Sequence, residues 1–224
     1  MTRIKICGIS RVEEVMDAVH SGADALGLVF YDKSPRYVTI ERAVEITEVI
    51  FPFVTLVGLF VNASAETVRT VLAAVPLDVL QFHGEETPAF CAQFGRPYLK
   101  AIRVKAGVDL VQCAADFSGA QGLILDAYVE GKHGGTGSSF DWALIPYDLP
   151  LPVILSGGLH AGNVADAIKQ VRPYAVDVSS GVEISKGVKD ATKIAAFINQ
   201  VNKMDLQLSD GNKGVLRGHR TTVR

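Results

Sequence analysis

Residues 3–30 read RIKICGISRVEEVMDAVHSGADALGLVF, and the order of patterns within this stretch decides the fold class. A short apolar run is followed by a segment with helical periodicity and then by a second apolar run. In the helical segment, four apolar residues share one face and three acidic residues share the other: Val12, Val15, Met16 and Val19 against Glu13, Glu14 and Asp17. Continuous apolar runs are typical of strands buried on both faces, so the stretch predicts a parallel β-α-β unit.

The same alternation recurs along most of the chain. Eight apolar runs rich in β-branched residues are RIKICGI, DALGLVF, VTLVGLF, LDVLQFH, YLKAIRV, GLILDA, PVILSGG and YAVDVSS. Six stretches between or after them have helical periodicity: 12–22, 40–50, 64–75, 107–115, 161–171 and 189–201. Eight β-α units in a chain of this length predict one α/β domain, a (β/α)₈ TIM barrel over residues 1–201. A doubly wound sheet is the alternative, but no G-x-G-x-x-G follows the first strand.

The segment 202–224, NKMDLQLSDGNKGVLRGHRTTVR, is polar, basic and glycine-containing. The helical periodicity of residues 189–201 does not continue into this segment. We therefore expect a short, disordered C-terminal tail from Asn202.

Composition narrows the class of partner. The net charge is -2, which gives no excess positive field for a nucleic acid. The cysteines Cys7, Cys91 and Cys113 are odd in number and lack C-x-x-C spacing, which argues against a disulfide framework and a zinc site. No run approaches the ~20 apolar residues that span a bilayer, and Met1 leads directly into a strand. We expect a cytoplasmic protein with a small-molecule partner and no membrane contact, either a monomer or a homodimer.

Polar residues that end the apolar runs are the candidates for chemistry, because the active site of such a barrel is built at the carboxyl ends of its strands. They are Cys7, Arg36, Asn62, His83, Arg103 and Asp126.

Each of the main candidates also has a structural interpretation. Cys7 is either a small buried hydrophobe or a reactive thiol, and Asp126 is either an N-cap or a partner in a loop salt bridge, or a general acid. Arg36 is either a solvated loop residue or a bidentate carboxylate ligand. His83 is either a third acid–base group or a side chain that is simply hydrogen-bonded.

Three glycine-rich pieces follow the sixth to eighth runs: HGGTGSS at 133–139, SGG at 156–158 and SSGVE at 179–183. Glycine lets backbone N–H groups approach a ligand closely, and barrels commonly bind phosphate after strands seven and eight. The candidate phosphate ligands are Gly135, Thr136, Gly137, Gly157, Gly158, Ser180 and Gly181. Turns and caps are the alternative explanation, and the order of a nucleotide P-loop is absent.

Metal and Schiff-base chemistry have weak support in the sequence. The strand ends carry one histidine and one aspartate without the spaced ligand set of a metal site, so no metal or cofactor is expected. A catalytic lysine also lacks a clear candidate, because Lys5 lies inside the first run and Lys100 near the start of the fifth.

The runs themselves resemble those of the phosphoribosylanthranilate isomerase family, from about Arg3 to about Val201. The resemblance rests on KICGI, GLVFYDKSPRYV, VGLFVN, LQFHG, KAIRV, LDAYVEGKHGGTGSSFDW, ILSGGL and DVSSGVE. It implies a (β/α)₈ barrel without cofactor or metal that catalyses an Amadori rearrangement in tryptophan biosynthesis. It further implies that Cys7 is the general base, that Asp126 is the general acid and that Arg36 holds the anthranilate carboxylate.

The resemblance also implies that the glycine pieces bind the substrate phosphate. A free thiol titrates near ~8.5, so we expect that a modest shift makes Cys7 an adequate base. A ribulose-phosphate epimerase would need metal ligands, and an indole-glycerol-phosphate lyase would need a strand-end lysine. A phosphosugar-binding protein without activity is the remaining alternative, and the presence of both thiol and carboxyl argues against it.

Overall fold

The computed structural model describes residues 1–127 and 141–217, and the side chains among them up to residue 210. Eight parallel strands form a closed barrel in chain order, and β1 pairs with β8 to close it. The strands are β1 Arg3–Cys7, β2 Ala25–Val29, β3 Thr55–Phe60, β4 Val79–Phe82, β5 Tyr98–Val104, β6 Gly122–Ala127, β7 Val153–Leu155 and β8 Ala175–Val178. The predicted (β/α)₈ barrel is confirmed.

Helices cover the outside of the barrel. They are α1 Val12–Ser21, α2 Ile40–Thr47, α3 Ala65–Ala74, α4 Pro88–Ala92, α5 Leu110–Asp116, α6 Val164–Val171 and α7 Ala191–Arg217. Two 3₁₀ turns, Trp142–Leu144 and Ser180–Val182, and a hairpin of β9 Glu183–Ser185 with β10 Val188–Lys189 complete the described elements. The five residues of α4 are too few to show helical periodicity, which is why the sequence pattern did not define this helix.

Strand residues alternate between two cores. Ala101, Ile124, Ile154 and Ala175 fill one layer inside the barrel. Ile4, Ile6, Leu26 and Leu28 belong to the core between the strands and the helices. Successive strand side chains point to opposite faces, so the polar residues that share the inner face meet inside the barrel.

One residue of α1 differs from the sequence expectation. Glu14 was placed with Glu13 and Asp17 on the face opposite the apolar residues, but it is buried. Its carboxylate accepts hydrogen bonds from the N–H groups of Ser10 at 2.8 Å and Arg11 at 3.2 Å, which leads into the helix. It also accepts from the N–H of Lys189 at 2.9 Å. The carboxylate therefore satisfies backbone donors at the helix start and on the hairpin, a tertiary contact that periodicity does not reveal.

The last helix, α7, continues without a break past the boundary predicted at Asn202 and ends at Arg217. Met204 and Leu208 pack against the main core, and Asp205 accepts hydrogen bonds from the N–H and hydroxyl of Thr2. These apolar residues extend the stripe of Val201 at helical spacing, and this stripe holds the helix on the barrel. Residues 218–224 lie outside the described part. None of the described helices is sufficiently long and apolar to cross a membrane.

Candidate active site

Cys7 ends β1 on the inner face and is 5 % exposed. It lies against Gly27 of β2, where a Cβ would stand 3.0 Å from Sγ and 3.1 Å from the Nζ of Lys5. Burial raises the pKa of the Cys7 thiol, and the positive charges of Lys5 and Lys189 offset this only in part. The shift therefore disfavours the thiolate in the substrate-free barrel, and the role of Cys7 as a base stays a prediction.

Asp126 is the penultimate residue of β6 and is also buried. Its Oδ2 lies 3.0 Å from the Nε2 of His83, and its Oδ1 accepts from the N–H of Ala127 at 2.9 Å. The Nδ1 of His83 lies 3.1 Å from the amide nitrogen of Gln81, whose Oε1 is buried without a partner among the described residues. Gln81, His83 and Asp126 thus form a hydrogen-bonded row, in which His83 contacts the candidate acid directly. Both interpretations of His83 are compatible with this contact.

Arg36 is buried, so it is not a solvated loop residue. Its Nε and Nη2 donate to the two carboxylate oxygens of Glu183 at 2.6 and 2.9 Å. A Cβ at Gly8, which has φ +80°, would overlap the side chain of Arg36, so glycine at this position lets the arginine lie directly beside the end of β1. Glu183 was missed by the sequence analysis, because it lies 147 residues from Arg36.

Lys189 completes this cluster from the hairpin. Its Nζ donates to Glu183 at 2.9 Å and to the hydroxyl and carbonyl of Ser179 at 3.2 Å. Burial alone would raise the pKa of Glu183, but the hydrogen bond from Arg36 and the charge of Lys189 outweigh it and lower the pKa below its usual 4.5. Burial lowers the pKa of Lys189. Two cations and one anion therefore leave this buried cluster with an excess positive charge.

The glycine loops after β7 and β8 lie together, and the first of them lies beside Asp126. Gly157 and Gly158 have φ values of +81° and +65°, and a Cβ at Gly157 would stand 2.9 Å from the Oδ1 of Asp126. A Cβ at Gly181 would overlap the carbonyl oxygen of Leu159. Within the described residues, the N–H groups of Gly157 and Gly158 donate no hydrogen bond. Ser180 begins the 3₁₀ turn after β8.

The remaining glycine-rich piece, residues 133–139, is not among the described residues. The predicted phosphate ligands Gly135, Thr136 and Gly137 lie outside the described residues. Their role stays a prediction.

The other strand-end residues have structural contacts. The side-chain oxygen of Asn62 accepts from the N–H of Glu85 at 2.7 Å, which ties two neighbouring loops together. Arg103 is partly buried, and its Nη2 stands 3.6 Å from the exposed carboxylate of Glu85. Lys100 is directed to the outer face of the barrel, where it binds Glu86 at 2.9 Å, so it does not supply the strand-end lysine of a lyase.

A buried ion pair of Lys5 with Asp177 lies inside the barrel and was not predicted. The two groups are 2.8 Å apart and each is 5 % exposed. The spacing of Lys5 and Cys7 by two residues in one strand was a signal for a shared face. The partner from β8 had no such signal. Over residues 1–127 and 141–210, no group of three or more His, Cys, Asp or Glu side chains is arranged to hold a metal ion.

Buried thiol, carboxyl and guanidinium groups lie at the carboxyl ends of the strands of a closed parallel barrel, which defines an enzyme of the (β/α)₈-barrel class. A family model described as N-(5′-phosphoribosyl)anthranilate (PRA) isomerase matches residues 4–200. A curated protein of that name from Thiobacillus denitrificans is 62 % identical over 198 residues, covering 88 % of this chain and 97 % of its own length. The chain belongs to the phosphoribosylanthranilate isomerase family.

Solved structures agree with this assignment. The phosphoribosyl anthranilate isomerase of Thermotoga maritima superposes with a TM-score of 0.84 at 40 % identity, covering 91 % of this chain and 100 % of that one. Another structure of such an isomerase, in complex with reduced 1-(o-carboxyphenylamino)-1-deoxyribulose 5-phosphate, has a TM-score of 0.81 at 41 % identity, with the same coverage.

Proposed function

We propose that this chain converts N-(5′-phosphoribosyl)anthranilate into 1-(2-carboxyphenylamino)-1-deoxyribulose 5-phosphate in tryptophan biosynthesis, with Cys7 as general base and Asp126 as general acid. The observation that carries the proposal is that both groups are buried at strand ends of one barrel mouth. Family membership supports the reaction. A cofactor-free and metal-free reaction, a cytoplasmic location and a monomeric or dimeric state remain predictions from the sequence.

Asp126 would start the reaction by opening the ribose ring. It gives its proton to the ring oxygen while the bond between C1′ and that oxygen breaks, and the anthranilate nitrogen supplies the electron pair that forms an iminium ion. The contacts with His83 and the N–H of Ala127 hold the carboxyl group at a fixed angle for this transfer.

Cys7 would then act on the iminium ion. Its thiolate removes the acidified proton from C2′, and the resulting enolamine tautomerises to the ketose product. Burial disfavours the thiolate in the free enzyme, so we expect kcat/KM to increase as the pH rises toward the pKa of the thiol.

Arg36 would bind the anthranilate carboxylate. Glu183 occupies Nε and one Nη2 hydrogen, which leaves the donors on the opposite edge of the guanidinium for a second carboxylate. The excess positive charge of the cluster with Lys189 favours one anionic group there.

The glycine loops after β7 and β8 would bind the phosphate. Gly157 and Gly158 offer backbone N–H groups, and Ser180 with Gly181 lies on the next strand end. Because Gly157 touches Asp126, a phosphate there would bring the ribose close to the proposed acid.

The test uses freshly prepared N-(5′-phosphoribosyl)anthranilate with a chelator present and follows the decay of its fluorescence. We expect fast decay with the wild type and a loss of at least about 10²-fold in kcat for both Cys7→Ala and Asp126→Asn. Binding of the substrate should persist in Cys7→Ala. Cys113→Ala, a cysteine on α5 outside the barrel, is the matched control and should retain its kcat.

Two outcomes would contradict the proposal. Unchanged fluorescence with the wild type, despite binding, would remove the activity. A kcat of Cys7→Ala equal to that of the wild type would remove the thiol from the mechanism while leaving the reaction in place.

A further inference from the structure

A charged layer lies directly beneath Cys7 inside the barrel. Lys5 of β1 and Asp177 of β8 are paired in the strand register, and their charged groups are 2.8 Å apart. The other oxygen of Asp177 accepts from the hydroxyl of Ser156 at 3.3 Å.

Stability does not explain this pair. A buried ion pair costs much of its attraction in desolvation, and well-packed apolar side chains of similar volume are often as stable or more so. The neighbouring inner layer has that apolar solution in Ala101, Ile124, Ile154 and Ala175. A lysine and an aspartate in the interior therefore require another reason.

The position of the lysine supplies that reason. Lys5 and Cys7 are two residues apart on one strand and share its inner face. Gly27 of β2 borders both, because a Cβ there would stand 3.0 Å from the sulfur and 3.1 Å from the ammonium nitrogen. The absence of a side chain at Gly27 leaves the ammonium and the thiol facing each other.

We propose that Lys5 is a positioning residue of the reaction: its ammonium, held by Asp177, lies beside the sulfur of Cys7 and stabilises the thiolate. This inference rests on the proposed role of Cys7 as the base. Lys5 does not touch the reacting carbon; it acts through the thiol.

Asp177 has a separate part in this arrangement. Burial alone would lower the pKa of Lys5, yet the charge of Asp177 raises it above its ordinary value, so the ammonium persists at neutral pH. The charged groups that face the thiol are then Lys5 from β1, Asp177 from β8 and Lys189 from β10, with Arg36 beside Gly8 at the strand end. The two lysines favour the thiolate and Asp177 opposes it.

The test titrates Cys7 directly, so it does not depend on turnover. In a Cys91→Ala and Cys113→Ala background, Cys7 is the remaining thiol, and its ultraviolet thiolate absorbance is followed against pH. Lys5→Met should raise the midpoint by about 1 to 3 pH units. The pH at which kcat/KM rises should move by the same amount, because kcat/KM reports the ionisation of the free enzyme.

A second variant separates the lysine from the orphaned aspartate. Lys5→Met/Asp177→Asn removes both charges, which also favours folding over the single variant. If Lys5 stabilises the thiolate, the midpoint of the double variant stays above that of the wild type. A return to the wild-type midpoint would assign the effect to the unpaired Asp177 and overturn the proposal.

The matched control is Lys100→Met, the same substitution at a buried lysine on the outer face. Its thiol midpoint should equal that of the wild type. An equal rise in Lys100→Met and Lys5→Met would make the shift a general effect of destabilisation and overturn the proposal. If Cys7→Ala keeps its kcat, the base assignment fails, and the titration still reports separately on whether Lys5 stabilises the thiolate.

Discussion

Lys5 and Lys100 lie on two strands of one barrel, and each is buried with a carboxylate partner at 2.8 or 2.9 Å, yet they face opposite sides of the sheet. Lys5 is inside the barrel beside a thiol. Lys100 is outside, where it also donates to the carbonyl of Gly84 at 2.5 Å and stands 5.6 Å from the centre of the Phe117 ring. The ion pair of Lys100 therefore holds a loop outside the barrel, whereas the ion pair of Lys5 faces the proposed base inside it. The difference arises because successive residues of a strand point to opposite faces of the sheet.

The largest effect should come from breaking the outer pair. Lys100→Met leaves the buried carboxylate of Glu86 without its cation, and we expect a loss of about 3–5 kcal/mol in the free energy of unfolding, measured in urea. The kcat of the folded fraction should not change, because the pair does not face the site. Lys100→Met/Glu86→Gln should recover part of the stability. A fall in kcat without a fall in stability would contradict the division into two faces.

A methyl group placed on either face sharpens the same comparison. Gly27→Ala inserts a Cβ between Lys5 and Cys7, whereas Gly58→Ala on β3 overlaps the side chain of Leu77 in the outer core. Both should cost about 1–3 kcal/mol of stability through overpacking. In steady-state assays kcat should fall for Gly27→Ala alone, and equal values of kcat would refute the proposed contact of ammonium and thiol.

The ion pair of Arg36 with Glu183 at the barrel mouth should affect substrate binding more than turnover. Glu183→Gln removes the anion that holds the fork of Arg36, so we expect KM to rise about tenfold with a small change in kcat. The matched probe is the condensation product of ribose 5-phosphate with aniline, which lacks the carboxylate. Its KM should be equal in both proteins, and a tenfold rise for this probe as well would show that Glu183 does not act through the carboxylate site.

The carboxylate of Glu183 should also have a smaller effect on the free energy of unfolding at acid pH. Because the pKa of Glu183 is lowered in the folded state, its contribution is present above pH 4.5 and is lost as the pH falls through the folded value. Urea unfolding at a series of pH values should show a steeper loss below pH 4.5 for the wild type than for Glu183→Gln. Parallel curves would contradict this assignment.

The smallest effect should come from a thiol on the outer side. Cys113 lies on α5 and is partly exposed, so Cys113→Ala should change the free energy of unfolding by no more than about 0.5 kcal/mol. Its kcat should equal that of the wild type in the same assay in which Cys7→Ala is tested. A large loss of kcat would mean that burial inside the barrel is not what distinguishes the two thiols.

Local patterns were sufficient for much of the fold. The eight apolar runs predicted the strands and their parallel order, because a continuous apolar run is needed wherever a strand is covered on both sides. The end of α7 was missed because the segment after Val201 is largely polar, and the packing of Met204 and Leu208 depends on the barrel surface that they contact. Glu14 was misplaced for the same reason, since its backbone partners include Lys189.

The sequence by itself determined the barrel, the strand ends and the residue types at the mouth, including Cys7, Arg36, His83 and Asp126. Those features follow from spacing along the chain. The tertiary structure decided which charges meet: Arg36 with Glu183, and Lys5 with Asp177, which are 172 residues apart. Such pairs depend on the register in which distant strands close the barrel, and that register is set by the packing of the whole chain.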